Sequence, residues 1–148
     1  MTAATVSETY LLDVNVLIAL AWPAHVHHGR AHAWFDGLSE AWATTPITES
    51  AFVRLSTNPA VVGDRVPVSQ AITVLGAIRA LPRHVFIADD SSLSTPAVAL
   101  DRVVTSRQIT DAHLVTRAAG ANTVLATRDR GIVELLAPSD RHCVLVLP

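Results

Sequence analysis

The sequence predicts an α/β fold, a three-layer α/β/α sandwich around a mainly parallel central sheet, built as one domain over residues 1–148. Two observations carry that expectation. Short strand-like runs alternate with helical patterns along the chain. The runs themselves are continuously apolar instead of alternating, as expected for strands covered on both faces. A length of 148 residues suits one sizeable core.

Taken in order, Thr9 to Leu12 read as the first strand, ending at Asp13, and Val14 to Trp22 as a short apolar helix stopped by Pro23. His25 to Leu38 carry Ala31, Trp34, Phe35 and Leu38 at helical spacing. Ala41 to Thr45 form a second strand, and Pro46 follows where a helix begins, so Ile47 to Ser56 read as a helix with Ala51, Phe52 and Leu55 inward. Thr57 to Pro67, with Asn58-Pro59, Gly63-Asp64 and Pro67, is an internal loop. Val68 to Leu81 form an amphipathic helix with Ile72, Leu75 and Ile78 as expected core contacts. His84 to Ala88 are a third strand, and Ser91 to Leu100 and Gln108 to Ala119 are helical, the latter ended by Gly120. Thr123 to Thr127 are a fourth strand, Gly131 to Leu136 a short helix and Cys143 to Leu147 a last strand. There is no internal repeat or low-complexity segment.

Composition narrows the chemistry. Half the residues are apolar, 16% are charged and the net charge is −2, which excludes a polybasic binder held to nucleic acid by bulk charge but allows a local basic rim around an acidic site. All eleven basic residues are arginines. Lysine-dependent chemistry is thereby removed, including Schiff bases and the phosphate-binding lysine of nucleotide loops, whereas forked contacts with phosphate remain available. Cys143 is the one cysteine and lies in an apolar run, so a buried thiol is expected and an intrachain disulfide or zinc–cysteine site is excluded. The first basic residue is Arg30, and no apolar run reaches about 18 residues, so neither a signal peptide nor a membrane span is read, and a soluble cytoplasmic protein is expected.

The informative stretch is Tyr10 to Leu20, where Asp13 and Asn15 interrupt an apolar run. A carboxylate in such surroundings is costly unless something pairs with it. In parallel sheets, sites form outside the carboxyl ends of the strands. The acids expected at that edge are Asp13 after the first strand, Glu49 in the first turn after the second, Asp111 near a helix start and Asp129 after the fourth strand. Asp89 and Asp90, just past the third strand, compete for the same edge. Several carboxylates sharing one edge repel unless a cation joins them. Without cysteine or a clear histidine set, oxygen ligands point to Mg²⁺ or Mn²⁺, and metal-activated water attacking a phosphodiester is the natural chemistry.

At this point the chain resembles a PIN-domain ribonuclease, and within that family a VapC-type toxin of a toxin–antitoxin pair. The resemblance rests on LLDVNVLIAL with Asp13 and Asn15, TPITESAFVRLSTNPAV with Glu49, ITDAHLVTRAAG with Asp111, and VLATRDRGI with Thr127 and Asp129. These segments occur in the family's order and span most of the chain. The resemblance implies a metal-dependent endoribonuclease whose catalytic and metal-binding residues are Asp13, Glu49, Asp111 and Asp129. Asp13 and Asp111 would be direct ligands of Mg²⁺ (or Mn²⁺), and Glu49 would hold or orient the attacking water. Asn15 and Thr127 would stand behind the carboxylates and orient them. It also implies an RNA substrate, a small cognate antitoxin and a homodimer.

Each signal has a plainer alternative. Asp13 suits a helix N-cap, Glu49 and Asp111 suit first helical turns, and Asp129 suits a turn before Gly131. Asp89 and Asp90 read as a cap for the helix at Ser91. His25, His27, His28 and His32 read as a solvated helix face, since His28 and His32 have ligand spacing but lack a third partner. Trp22, Trp34 and Trp42 read as core or dimer contacts. Arg54, Arg117, Arg128 and Arg130 read singly as surface charge, although as a group some should meet an RNA backbone. A receiver or dehalogenase-type phosphatase is disfavoured by the absent lysine and by Asn15 standing where a second aspartate is needed. An RNA-processing nuclease and a non-catalytic binding module remain as alternatives.

Overall fold

A computed structural model describes residues 8–148. Residues 1–7, included in the domain expected over 1–148, lie outside the described residues. Five strands form one parallel sheet: β1 (Thr9–Leu12), β2 (Ala41–Thr44), β3 (His84–Phe86), β4 (Val124–Thr127) and β5 (Val144–Val146). Their spatial order is β3-β2-β1-β4-β5. The chain therefore steps outward from β1 in one direction through β2 and β3, then crosses back and steps outward the other way through β4 and β5. The order reverses between β1 and β4, and in such sheets the crevice at the carboxyl ends of those two strands is the favoured place for a site.

Side chains alternate between two covered faces, as the continuous apolar runs predicted. Leu11, Ala43 and Leu125 point to a core completed by Leu114, Val115, Ala118, Ile132 and Leu136. Leu12, Trp42 and Ala126 point to the opposite core, with Val16, Leu17, Phe52 and Leu147. The first face is covered by α6 (Ile109–Gly120) and α7 (Gly131–Glu134). The second is covered by α1 (Val14–Ala21), α2 (His28–Asp36), α3 (Pro46–Ser56) and α5 (Val68–Arg79). Cys143 is buried, as expected. No described helix is long and apolar enough to cross a membrane.

Several elements differ from expectation. Residues 91–100 are not helical: the whole of 87–105 is irregular. Pro96 lacks the amide a helix interior needs, and serines compete for backbone partners, as Ser92 Oγ does in accepting from the Ser94 amide at 3.1 Å. The segment is instead tied down at Val98, which is 5% exposed, and by the Ala97 amide donating to Thr116 Oγ1 at 2.6 Å. Asp89 and Asp90 consequently cap no helix. Asp89 pairs with His113 at 2.8 Å and Asp90 pairs with Arg117, holding the irregular segment to α6. Arg117 is 7% exposed and not a surface charge.

The second helix starts at His28 because the chain makes two turns after Pro23, with the His25 amide on Trp22 O and the His28 amide on His25 O. His28 and His32 are not a solvated face. His28 Nδ1 lies 2.8 Å from Ala19 O and His32 Nε2 lies 2.9 Å from Leu20 O, so each ring donates to an open carbonyl in the last turn of α1. The expected loop at 57–67 contains one helical turn, α4 (Pro59–Val62), capped by Asn58 and ended by Gly63 at φ +78°. In α5, Ile72 is 55% exposed and Ala71 is the fully buried contact, because the helix covers the sheet's outer margin against α3.

Candidate active site at the carboxyl edge of β1 and β4

Asp13 is the first residue after β1 and caps α1. Its amide extends the ladder to β4, donating to Ala126 O at 2.9 Å. Its Oδ1 accepts from the Val14 amide at 2.7 Å, so the capping role is real. Its Oδ2 accepts from Thr127 Oγ1 at 2.7 Å and from Asn15 Nδ2 at 3.3 Å. Asp13 is 6% exposed. Burial raises its carboxyl above the ordinary range, the bonds from Thr127 and Val14 pull it back, and the charge of Asp129 adds to the rise.

Thr127, the last residue of β4, is fully buried and its hydroxyl is saturated. It donates to Asp13 and accepts from Asn15 Nδ2 at 3.2 Å and from the Asp129 amide at 3.1 Å. Asn15 is fixed in turn, since its Oδ1 accepts from the Arg128 amide at 3.1 Å. Asn15 and Thr127 thus join the β1–α1 turn to the loop after β4 and hold Asp13 in one orientation. Asp129 follows two residues later, with Oδ1 accepting from the Gly131 amide at 2.8 Å. A Cβ at position 131 would sit 3.0 Å from that oxygen, so glycine there lets the carboxylate fold back over the start of α7. The turn role read for Asp129 is present.

Asp111 lies in the first turn of α6. That helix runs antiparallel to β4, so its first turn stands at the carboxyl edge of the sheet. Burial, then the charges of Asp13 and Asp129, push the Asp111 carboxyl above its ordinary value. Its side chain accepts no hydrogen bond from the described residues. Asp13, Asp111 and Asp129 therefore act on one another electrostatically, and among the described residues none of them has a basic partner.

Glu49 stands one strand further out, in the first turn of α3. Its Oε1 accepts from Thr44 Oγ1 at 2.7 Å and lies 3.3 Å from Arg79 Nε. Thr44 Oγ1 spends its one proton on Glu49, so its 2.8 Å contact with His84 Nε2 requires that nitrogen to donate. Thr44, His84 and Arg79 were not legible as site neighbours in the sequence. The available signal was position: Thr44 is the last residue of β2, where side chains reach the same edge.

Among the described residues, no three His, Cys, Asp or Glu side chains converge as a ready-made metal pocket. The donor set nevertheless fits a hard divalent ion, which typically keeps several waters and takes one or two protein carboxylates together with substrate phosphate. Two carboxyls held above their ordinary range, without a protein cation to relieve them, are the electrostatic counterpart of such an ion. The acids line an open edge, and concavities lie elsewhere, one beside Glu8, Asn122 and His142 and another between His25 and Val61.

Fold and edge together define a three-layer parallel α/β protein with an acidic site at its strand-order reversal. No family model matches the chain. It is 48% identical to Ribonuclease VapC38 of Mycobacterium tuberculosis over 126 residues, covering 84% of this chain and 88% of that protein. It is 44% identical to Ribonuclease VapC39 of the same organism, covering 85% of this chain and 92% of that protein. Among solved structures, VapBC2 from Rickettsia felis bound to a promoter DNA fragment aligns with a TM-score of 0.65 at 13% identity, over 95% of this chain and 99% of that one. The chain belongs to the VapC ribonuclease family.

Proposed function

We propose that this protein is a metal-dependent endoribonuclease that hydrolyses RNA phosphodiester bonds, and that it is the toxin of a toxin–antitoxin pair. The observation that carries the reading is the conjunction of two facts. The chain is 48% identical over most of its length to a protein named a ribonuclease, and its buried Asp13 stands with Asp111 and Asp129 at the β1–β4 edge. Asp13 and Asp111 would hold Mg²⁺ or Mn²⁺, with Asp129 and Glu49 completing the set. A divalent ion there supplies Lewis acidity toward a phosphate oxygen and lowers the pKa of the attacking water.

The chain's own residues do the rest. Thr127 and Asn15 keep Asp13 Oδ2 aimed by two donors, so the carboxylate need not reorganise when a cation arrives. Glu49 Oε2 makes no hydrogen bond to the described residues, which leaves it able to accept a proton from water. The open edge admits a polymer. Arg128 and Arg130 flank Asp129 and supply positive charge where an RNA backbone would pass. A small antitoxin, a second copy of the chain and cytoplasmic RNA complete the proposed setting.

The test is incubation of purified protein with total cellular RNA under Mg²⁺, Mn²⁺ or chelator, beside Asp13→Asn. Discrete metal-dependent products missing from the variant support the reading, and products that persist in chelator or in the variant contradict it. Expression without the antitoxin should arrest growth, and unimpaired growth at high expression would remove the toxin role. Thr127→Val, which deletes the donor to Asp13, is expected to weaken Mn²⁺ binding by ~10–100-fold. Unchanged affinity in a titration would make Thr127 a packing residue only.

A further inference from the structure

Glu49 is set apart from the other acids. The charge of Asp129 bears on Asp13, and those of Asp13 and Asp129 bear on Asp111, whereas Glu49 Oε1 is engaged by Thr44 and Arg79. Arg79, the last residue of α5, is held on two sides: its Nε lies 3.3 Å from Glu49 and its guanidinium carbon 4.8 Å from the centre of the Phe86 ring. The pair is unequal in exposure, since the Arg79 side chain is 44% exposed and the Glu49 side chain 14%. The two terminal nitrogens of Arg79 make no hydrogen bond to the described residues. A guanidinium with its fork open to solvent matches a phosphate better than a single carboxylate oxygen does.

Position supports the same reading. Phe86 pairs in register with Thr44 at the carboxyl edge of the sheet. It therefore stands two strands from β1, or about 10 Å at the usual spacing. Arg79, lying over Phe86, therefore stands on the β3 side of the same carboxyl edge as the acids.

We propose that Arg79 is a positioning residue that holds Glu49 out of the metal-binding set until an RNA phosphate takes its guanidinium. This rests on the carboxylate edge being a metal-dependent RNA site. While the ion pair is closed, Glu49 and Arg79 are together neutral and the cation meets only the remaining carboxylates. When phosphate draws Arg79 away, Glu49 adds a negative charge and a free carboxylate to the edge. Metal and substrate then strengthen one another's binding, by the same factor in each direction.

The experiment is a titration of full-length protein with Mn²⁺ alone, followed by the free-ion spin-resonance signal, for wild type, Arg79→Ala, Glu49→Gln, the double variant and Asp111→Asn. Arg79→Ala is expected to bind Mn²⁺ about 2- to 5-fold more tightly than wild type. The gain should vanish in the Glu49→Gln background. In RNA cleavage, Arg79→Ala should reach half-maximal rate at lower Mn²⁺ while its KM for RNA rises, an opposed pair of changes that a purely structural role would not produce. If Asp111→Asn weakens Mn²⁺ binding and Arg79→Ala leaves it unchanged, Arg79 has no such role and the metal site stands. A gain that persists without the Glu49 carboxylate would reduce Arg79 to a distant charge and overturn the proposal. If Asp111→Asn binds Mn²⁺ like wild type, the metal reading falls and this inference falls with it.

Discussion

Asp111→Asn is expected to abolish metal-dependent RNA cleavage while making the metal-free protein more stable. The loss should be at least ~100-fold, since even groups that only support a ligand commonly carry ~10–100-fold. The gain in stability has a separate cause. Burial and the charges of Asp13 and Asp129 hold the Asp111 carboxyl above its ordinary 3.8, so ionising it in the folded state costs free energy. Because the folded pKa is raised, the folded protein binds more protons than the unfolded chain between the two values, and stability falls as pH rises through that window. The penalty is complete above the folded pKa and absent well below 3.8. Thermal melts in chelator should therefore show Asp111→Asn melting a few degrees above wild type at neutral pH, with the difference shrinking in acid. A domain of this size moves by roughly 2–4 °C per kcal/mol. Asp111 is the right position for this test because no described donor binds its side chain. At Asp13 an amide would set its own NH₂ group against the Val14 amide or against Asn15. A variant that is inactive and also less stable would mean that Asp111 is a structural acid.

Trp42→Ala should produce the largest loss of stability. Trp42 is fully buried in β2, its Nε1 donates to Pro82 O at 2.9 Å, and it meets Phe35 edge-on at 5.3 Å and His84 at 4.8 Å. It therefore joins the sheet to α2 and to the connection before β3. Truncating a buried tryptophan costs about 3–5 kcal/mol, against about 5–15 kcal/mol for a whole domain. The expected fall in Tm is roughly 6–20 °C. A loss under about 1 kcal/mol in urea unfolding would mean that this core repacks around the gap.

How far the fold was legible depends on how local its causes are. The strands could be read because both faces of a parallel sheet are apolar, and Leu11 and Leu12 serve opposite cores. The helix expected at Ser91 failed because residues 87–105 are organised by distant partners, Thr116, Asp140, His113 and Arg117, which no local pattern contains. His28 and His32 were misread for the same reason, since their partners belong to the preceding helix. At the edge, Asp13, Asp111 and Asp129 were legible because strand ends and helix starts place them. The engagement of Glu49 by Arg79 was not, because it joins α3 to α5 across thirty residues of chain.

Crystals soaked in Mn²⁺ and measured at the manganese edge would locate the bound ion. The expected result is an anomalous peak between the Asp13 and Asp111 carboxylates, at the carboxyl ends of β1 and β4, that disappears in Asp111→Asn. An edge without a peak at saturating Mn²⁺, or a peak unaffected by that substitution, would contradict it.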